Sequence, residues 1–156
     1  MLTILKLLQS LFKTLHSDGT PGQVAAGIML GAGIGLTPLL SAHNLVLFAA
    51  IVLLNVSFGG GMLGLALFTP FGFILDPLFD RVGLALLRHP ALAGLWTDWY
   101  NIPLVPYTNF NNSVTLGGFV CWLVLTIPIY FTAKAAIARY RATYGARVMN
   151  SRFMKG

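Results

Sequence analysis

Residues 19–75 contain no Asp, Glu, Lys or Arg, and His43 is their only titratable group. At about 1.5 Å of rise per helical residue this is roughly three crossings of a ~30 Å hydrocarbon layer, and a water-soluble domain would need charge somewhere along it. The chain therefore reads as an all-α integral membrane protein. Only 9% of its 156 residues are charged, which leaves no segment polar enough for a separate aqueous catalytic or nucleic-acid-binding domain.

The net charge of +6 is unevenly placed: Lys134, Arg139, Arg141, Arg147, Arg152 and Lys155 all follow the last apolar segment, and no acid follows Asp98. Basic residues next to a span mark the cytoplasmic side and attract anionic lipid, here through Lys134, Arg139, Arg141 and Arg147. Nucleic acid is not an expected partner, because no aromatic-basic platform accompanies the charge. Cys121 is a lone cysteine in an apolar run and forms no internal disulfide.

Over residues 1–18, Lys6, Gln9, Ser10 and Lys13 alternate at helical period with Leu5, Leu8, Leu11 and Leu15. This is an amphipathic helix, suited to the membrane interface or to packing on another subunit. Residues 20–90 are Gly- and Pro-rich membrane helices. Thr20, Pro21 and Gln23 have the spacing of a capping box with proline at the first helical position. Gly27, Gly31 and Gly35 then recur every four residues, so that one face admits a second backbone, and Gly59 and Gly64 are the corresponding packing positions further on. Thr37-Pro38 and Thr69-Pro70 are expected helix breaks, since proline removes a donor and threonine can cap the next turn. The two pairs lie 32 positions apart, and Val24/Val56, Gly27/Gly59 and Asn44/Asp76 match at the same offset. This suggests an internal repeat of broken helices.

Asp76-Pro77 reads as the cap and first residue of a further short helix. Residues 91–112 carry Trp96, Trp99, Tyr100, Tyr107 and Phe110, an interfacial aromatic loop. Residues 113–133 form the cleanest span, with Pro128 inside it, and 134–156 a basic, helical cytoplasmic tail. Four transmembrane helices (22–40, 45–60, 62–75 and 113–133) would place both termini in the cytoplasm. A rival arrangement turns the segments around each Thr-Pro pair into two re-entrant hairpins, because residues 21–36 span only about 24 Å. That leaves one true crossing.

No active site is legible. His16, His43 and His89 have no metal-ligand spacing, no nucleophile elbow or phosphate loop is present, and neither metal nor cofactor is expected. Asn44, Asn55 and Asp76 form a candidate polar site. Asp76 has two readings, a helix cap or a proton- or cation-carrying group.

The run Ala26 to Gly35, Thr37-Pro38, Asn55 after an apolar segment, Pro70 and the region of Gly83 resemble a small bacterial inner-membrane family known as domain of unknown function 2062. Where that family often has Asn before the second proline, this chain has Thr69. The resemblance implies a multi-pass inner-membrane location and no assigned enzymatic activity. It also implies a larger membrane-anchored envelope protein, of the bridge-type lipid-transfer kind, as partner. The expected function is a non-enzymatic subunit that scaffolds that partner's anchor, with membrane lipid between its helices. The alternative is a small transporter or channel, as a homo-oligomer, using the Thr-Pro breaks and Asp76.

Overall fold

The computed structural model describes residues 19–145 together with Ile4, Lys6, Gln9 and Arg147. The rest of the amphipathic segment over 1–18 and of the tail lies outside the described residues. The described chain is helical: α1 (Pro21–Gly35), α2 (Ala42–Leu53), α3 (Phe58–Leu87), α4 (Ala93–Tyr100) and α5 (Ser113–Tyr140). Short 3₁₀ turns at Pro90–Leu92 and Val105–Thr108 flank α4, and one π turn, Arg141–Gly145, follows α5.

The capping box forms. Thr20 Oγ1 accepts from the Gln23 N–H at 3.2 Å, and Gln23 Oε1 accepts from the Thr20 N–H at 2.8 Å, which fixes where α1 begins. Along α1, a Cβ built on Gly27 would lie 2.9 Å from Gly61 N, on Gly31 2.8 Å from Leu65 N, and on Gly35 2.9 Å from Thr69 N. The offset is 34 residues at each step, so α1 and α3 run parallel and in register, backbone against backbone. The α3 side of this seam is Gly60, Gly64 and Gly72, each facing an α1 carbonyl. Gly61 also takes the Ile51 side chain of α2. Gly59 is half-buried.

Helix α5 runs the other way. Its start packs on the far half of α3, where a Cβ on Gly117 would strike Phe79 O and one on Gly83 would strike Ser113 O. Further down, the Trp122 indole covers Gly33 and donates from Nε1 to Met29 O at 2.9 Å. At its end Arg141 donates from Nη1 to Gly19 O at 2.6 Å, so the start of α1 and the end of α5 lie at one end of the bundle. Helix α1 thus sits between the two long helices, with Ala32, Ile34, Leu36, Phe79 and Trp122 in the core.

The helix count differs from the four-span reading. Helix α1 has 15 residues and α2 has 12, about 22 and 18 Å at helical rise, each shorter than a ~30 Å layer. Two helices, Phe58–Leu87 and the one starting at Ser113, are long and apolar enough to cross a membrane. The two-hairpin arrangement is also replaced, because among the described residues only α1 and α2 form a helical hairpin of that kind. Thr69-Pro70 does not break α3, Asp76-Pro77 does not start a new helix, and Gly59 to Gly61 form its first turn. Pro70 and Pro77 are seven residues apart on one exposed face, opposite buried Gly72, Phe79 and Gly83. The helix runs on through both prolines, whose rings sit on its outer side, where they disturb no packing. Residues 91–112 contain α4 and two 3₁₀ turns, more ordered than a plain loop, and α5 runs seven residues past 133.

The seam makes a direct prediction. Gly31→Ile and Gly117→Ala should each lose about 1–3 kcal/mol of stability through overpacking, while Gly94→Ala, with nothing within 4 Å of its Cβ position, should lose none. Helicity followed through a dodecyl sulfate titration measures this. A Gly31→Ile protein unfolding at the wild-type midpoint would rule the seam out.

Candidate functional site

The turn between α1 and α2 has to end a helix inside an apolar bundle, where an unpaired carbonyl is costly. Thr37 solves this first. Its Oγ1, in a buried side chain, lies 2.9 Å from both Gly33 O and Asn44 Oδ1, and 3.0 Å from His43 Nε2. One hydroxyl has one proton to give, so it is shared between the two oxygens. Asn44, also buried, donates from Nδ2 to Pro38 O at 2.9 Å and reaches Leu39 O at 3.5 Å. The imidazole of His43 stands edge-on to Phe119, with centroids 5.3 Å apart. Thr37, His43 and Asn44 are thus a closed polar knot that holds Pro38 at the apex of the hairpin.

Beside this knot is a groove of about 440 Å³, walled by residues 36–40 on one side and by Thr69, Gly72, Phe73 and Asp76 of α3 on the other. The α3 residues follow helical spacing, so all four look the same way. Thr69 Oγ1 donates to Leu65 O at 2.7 Å, the same bond to the fourth residue back that Thr37 makes to Gly33. In Thr37 it closes a turn, while in Thr69 it occurs within a continuing helix. The two halves matched in sequence are therefore not structural equivalents.

The structure brings Thr37, Pro38, Thr69 and Asp76 to one groove, with Asn44 directly behind it. Pro70 is exposed on another face. Asn55 lies at the opposite end of α2, where its Oδ1 accepts from Gln23 Nε2 at 2.9 Å and ties the α2–α3 connection to the start of α1. Ser57 N–H donates to Gln23 O at 3.1 Å in the same place. At that end Lys134 stands 5.8 Å over the Tyr130 ring, and Arg139 and Arg147 are exposed. At the other end Trp96, Trp99 and Phe110 form a three-ring cluster, with Trp96 Nε1 donating to Leu86 O at 3.0 Å. Asp80 accepts from Ser113 Oγ.

Sequence reasoning missed Trp122 and the pair Asp80–Ser113. Gly117, where a Cβ would strike Phe79 O, is the residue that could have marked the α3–α5 approach. Nothing local marks an indole in an apolar run as the partner of a carbonyl 93 residues away.

Among the described residues no cluster of three or more His, Cys, Asp or Glu could hold a metal ion. The fold defines an all-helical bundle with two helices of membrane-crossing length around a buried Gly-rich helix. The chain belongs to the bacterial family described as "Uncharacterized protein conserved in bacteria (DUF2062)", whose model matches residues 6–144. It is similar to an uncharacterized protein of Treponema pallidum (strain Nichols), 30% identical over 141 residues, covering 88% of this chain and 85% of the relative. No solved structure matches it.

The knot can be tested by its carbonyls. Asn44→Leu preserves volume, leaves Leu39 O without its side-chain donor and Pro38 O with the Ser41 N–H alone, and removes one acceptor of the buried Thr37 hydroxyl, which together should cost about 1–3 kcal/mol. The same dodecyl sulfate titration reads the loss, and an unchanged midpoint would show that the Asn44 side chain does not hold the turn.

Proposed function

We propose that this chain is an integral protein of the bacterial inner membrane, with α3 and α5 crossing the bilayer and the α1–α2 hairpin entering and leaving from the basic side. It acts as a non-enzymatic subunit that holds the membrane anchor of a larger envelope protein, with phospholipid between its helices. The observation that carries this reading is the outward apolar surface. Only 28% of the most apolar stretch of each long helix is buried inside the bundle, whereas a soluble core helix would be mostly covered. Exposed Leu45, Val46, Leu53, Phe71, Ile74, Val124, Ile127 and Phe131 continue that surface around α2, α3 and α5, an area far beyond the patches a soluble monomer leaves bare. Lys134, Arg139 and Arg141 at the end shared with Gly19 support a cytoplasmic position for both ends. The envelope partner is supported by the family resemblance.

A transporter or channel is the second reading, favoured by one observation: Asp76, Thr37, Pro38 and Thr69 share a groove. An interrupted helix, here at Thr37-Pro38, beside an acid is one way in which small carriers hold an ion.

Topology is measured by single cysteines placed in a Cys121→Ala background. Labels at positions 3 and 147 should react from the cytoplasm and one at position 107 from the outside. Opposite locations for the two ends would end the two-span proposal. Capture in mild detergent followed by mass spectrometry should recover a larger membrane-anchored envelope protein. Recovery of the chain as a bare homo-oligomer with ion-driven uptake in liposomes would promote the transporter.

The basic end makes a second prediction. Neutralising exposed Arg139 and Arg147 together should weaken retention of anionic phospholipid by about 1 kcal/mol per charge at low salt, less at high salt. Lipid co-purification that does not change with salt would place these residues on protein instead.

A further inference from the structure

Among the described residues Asp76 is the only charged one lining the groove between the α1–α2 turn and α3, and it has no ion-pair or hydrogen-bond partner among them. The other acid of this region, Asp80, is occupied by Ser113. The end of α1 adds to the negative potential, because Gly35 O packs on Gly72, one turn before Asp76, and the carbonyl end of a helix carries partial negative charge. With no cation among the described residues of the walls, balance comes from outside the groove.

Two features decide what brings it. The groove holds about 440 Å³, far more than a proton or a bare metal ion needs, and its rim is apolar, with Leu40 98% and Phe73 72% exposed. Residues 58–75 of α3 are uncharged, which puts Asp76 about 27 Å along the helix, close to the full depth of a ~30 Å hydrocarbon layer and so at headgroup level.

We propose that this groove binds the primary ammonium headgroup of a zwitterionic phospholipid. The Asp76 carboxylate receives the ammonium, and Leu39, Leu40 and Phe73 lie along an acyl chain. The inference rests on the membrane-subunit reading above and assigns that subunit a lipid class. A primary ammonium has three N–H donors for an acceptor-only wall, whereas a trimethylammonium group has none. Ethanolamine lipid should therefore be held over choline lipid.

The test uses the full chain in nanodiscs containing equal parts of ethanolamine, choline and glycerol phospholipids, extracted in mild detergent, with retained lipid counted by native mass spectrometry. Wild type should keep ethanolamine over choline lipid by about tenfold, the worth of one charge-assisted hydrogen bond. Asp76→Asn should abolish that preference, and Asp76→Glu should preserve it. Equal retention of the two lipids by wild type overturns the proposal without requiring any variant to fold. So does an unchanged preference in an Asp76→Asn protein of wild-type helicity, or displacement of the lipid by soluble ethanolamine alone. Partner capture by the same samples keeps the two readings separate: wild type that captures the envelope protein but shows no headgroup preference sinks the groove and leaves the scaffold standing.

Discussion

The whole arrangement depends on one seam where two backbones meet without side chains between them. Helix α1 can lie parallel to α3 only because Gly27, Gly31 and Gly35 on one side and Gly60, Gly64 and Gly72 on the other carry no Cβ. At that separation the attraction is dispersion between close-packed backbone atoms, which does not require water to drive it. A parallel pair also demands a return path. Helix α2 supplies it, and because the path has to fit within the length of α1, α2 is short. The hairpin, the turn knot and the groove all follow from that geometry.

Proline has opposite outcomes in this chain for a reason that is spatial. At Pro38 the helix ends, since Thr37 and Asn44 supply donors for the freed carbonyls and buried Leu36 anchors the turn. At Pro70 and Pro77 the rings face outward and the inward side of α3 stays locked by Gly72, Phe79 and Gly83. Whether a Thr-Pro pair interrupts a helix is thus settled by the face it lies on.

Much of the fold was legible. The uncharged run pointed to an apolar environment, the Thr20-Pro21-Gln23 spacing located the start of α1, and the four-residue glycine period located its packed face. The number of long helices was not legible, because local proline and Asp-Pro signals outweigh a continuity that only tertiary packing supplies. The triple glycine could not be phased from sequence either: the face that reaches α1 depends on where α3 starts, and a start at Phe58 turns Gly60 and Gly64 inward. Of the candidate polar residues, Asn44 was separable from Asn55 only once the hairpin showed which end of α2 each occupies, and Asp76 joins the Asn44 end through the α3 wall of the groove.

The bond from the Trp122 indole to Met29 links the last long helix to the first buried one across 93 residues. During synthesis α1 leaves the ribosome with one glycine face and one carbonyl awaiting partners that do not yet exist. The seam with α3 closes after about half the chain has been made, and the cover over Gly33 only when α5 arrives. The first helix is therefore the last to be fully enclosed.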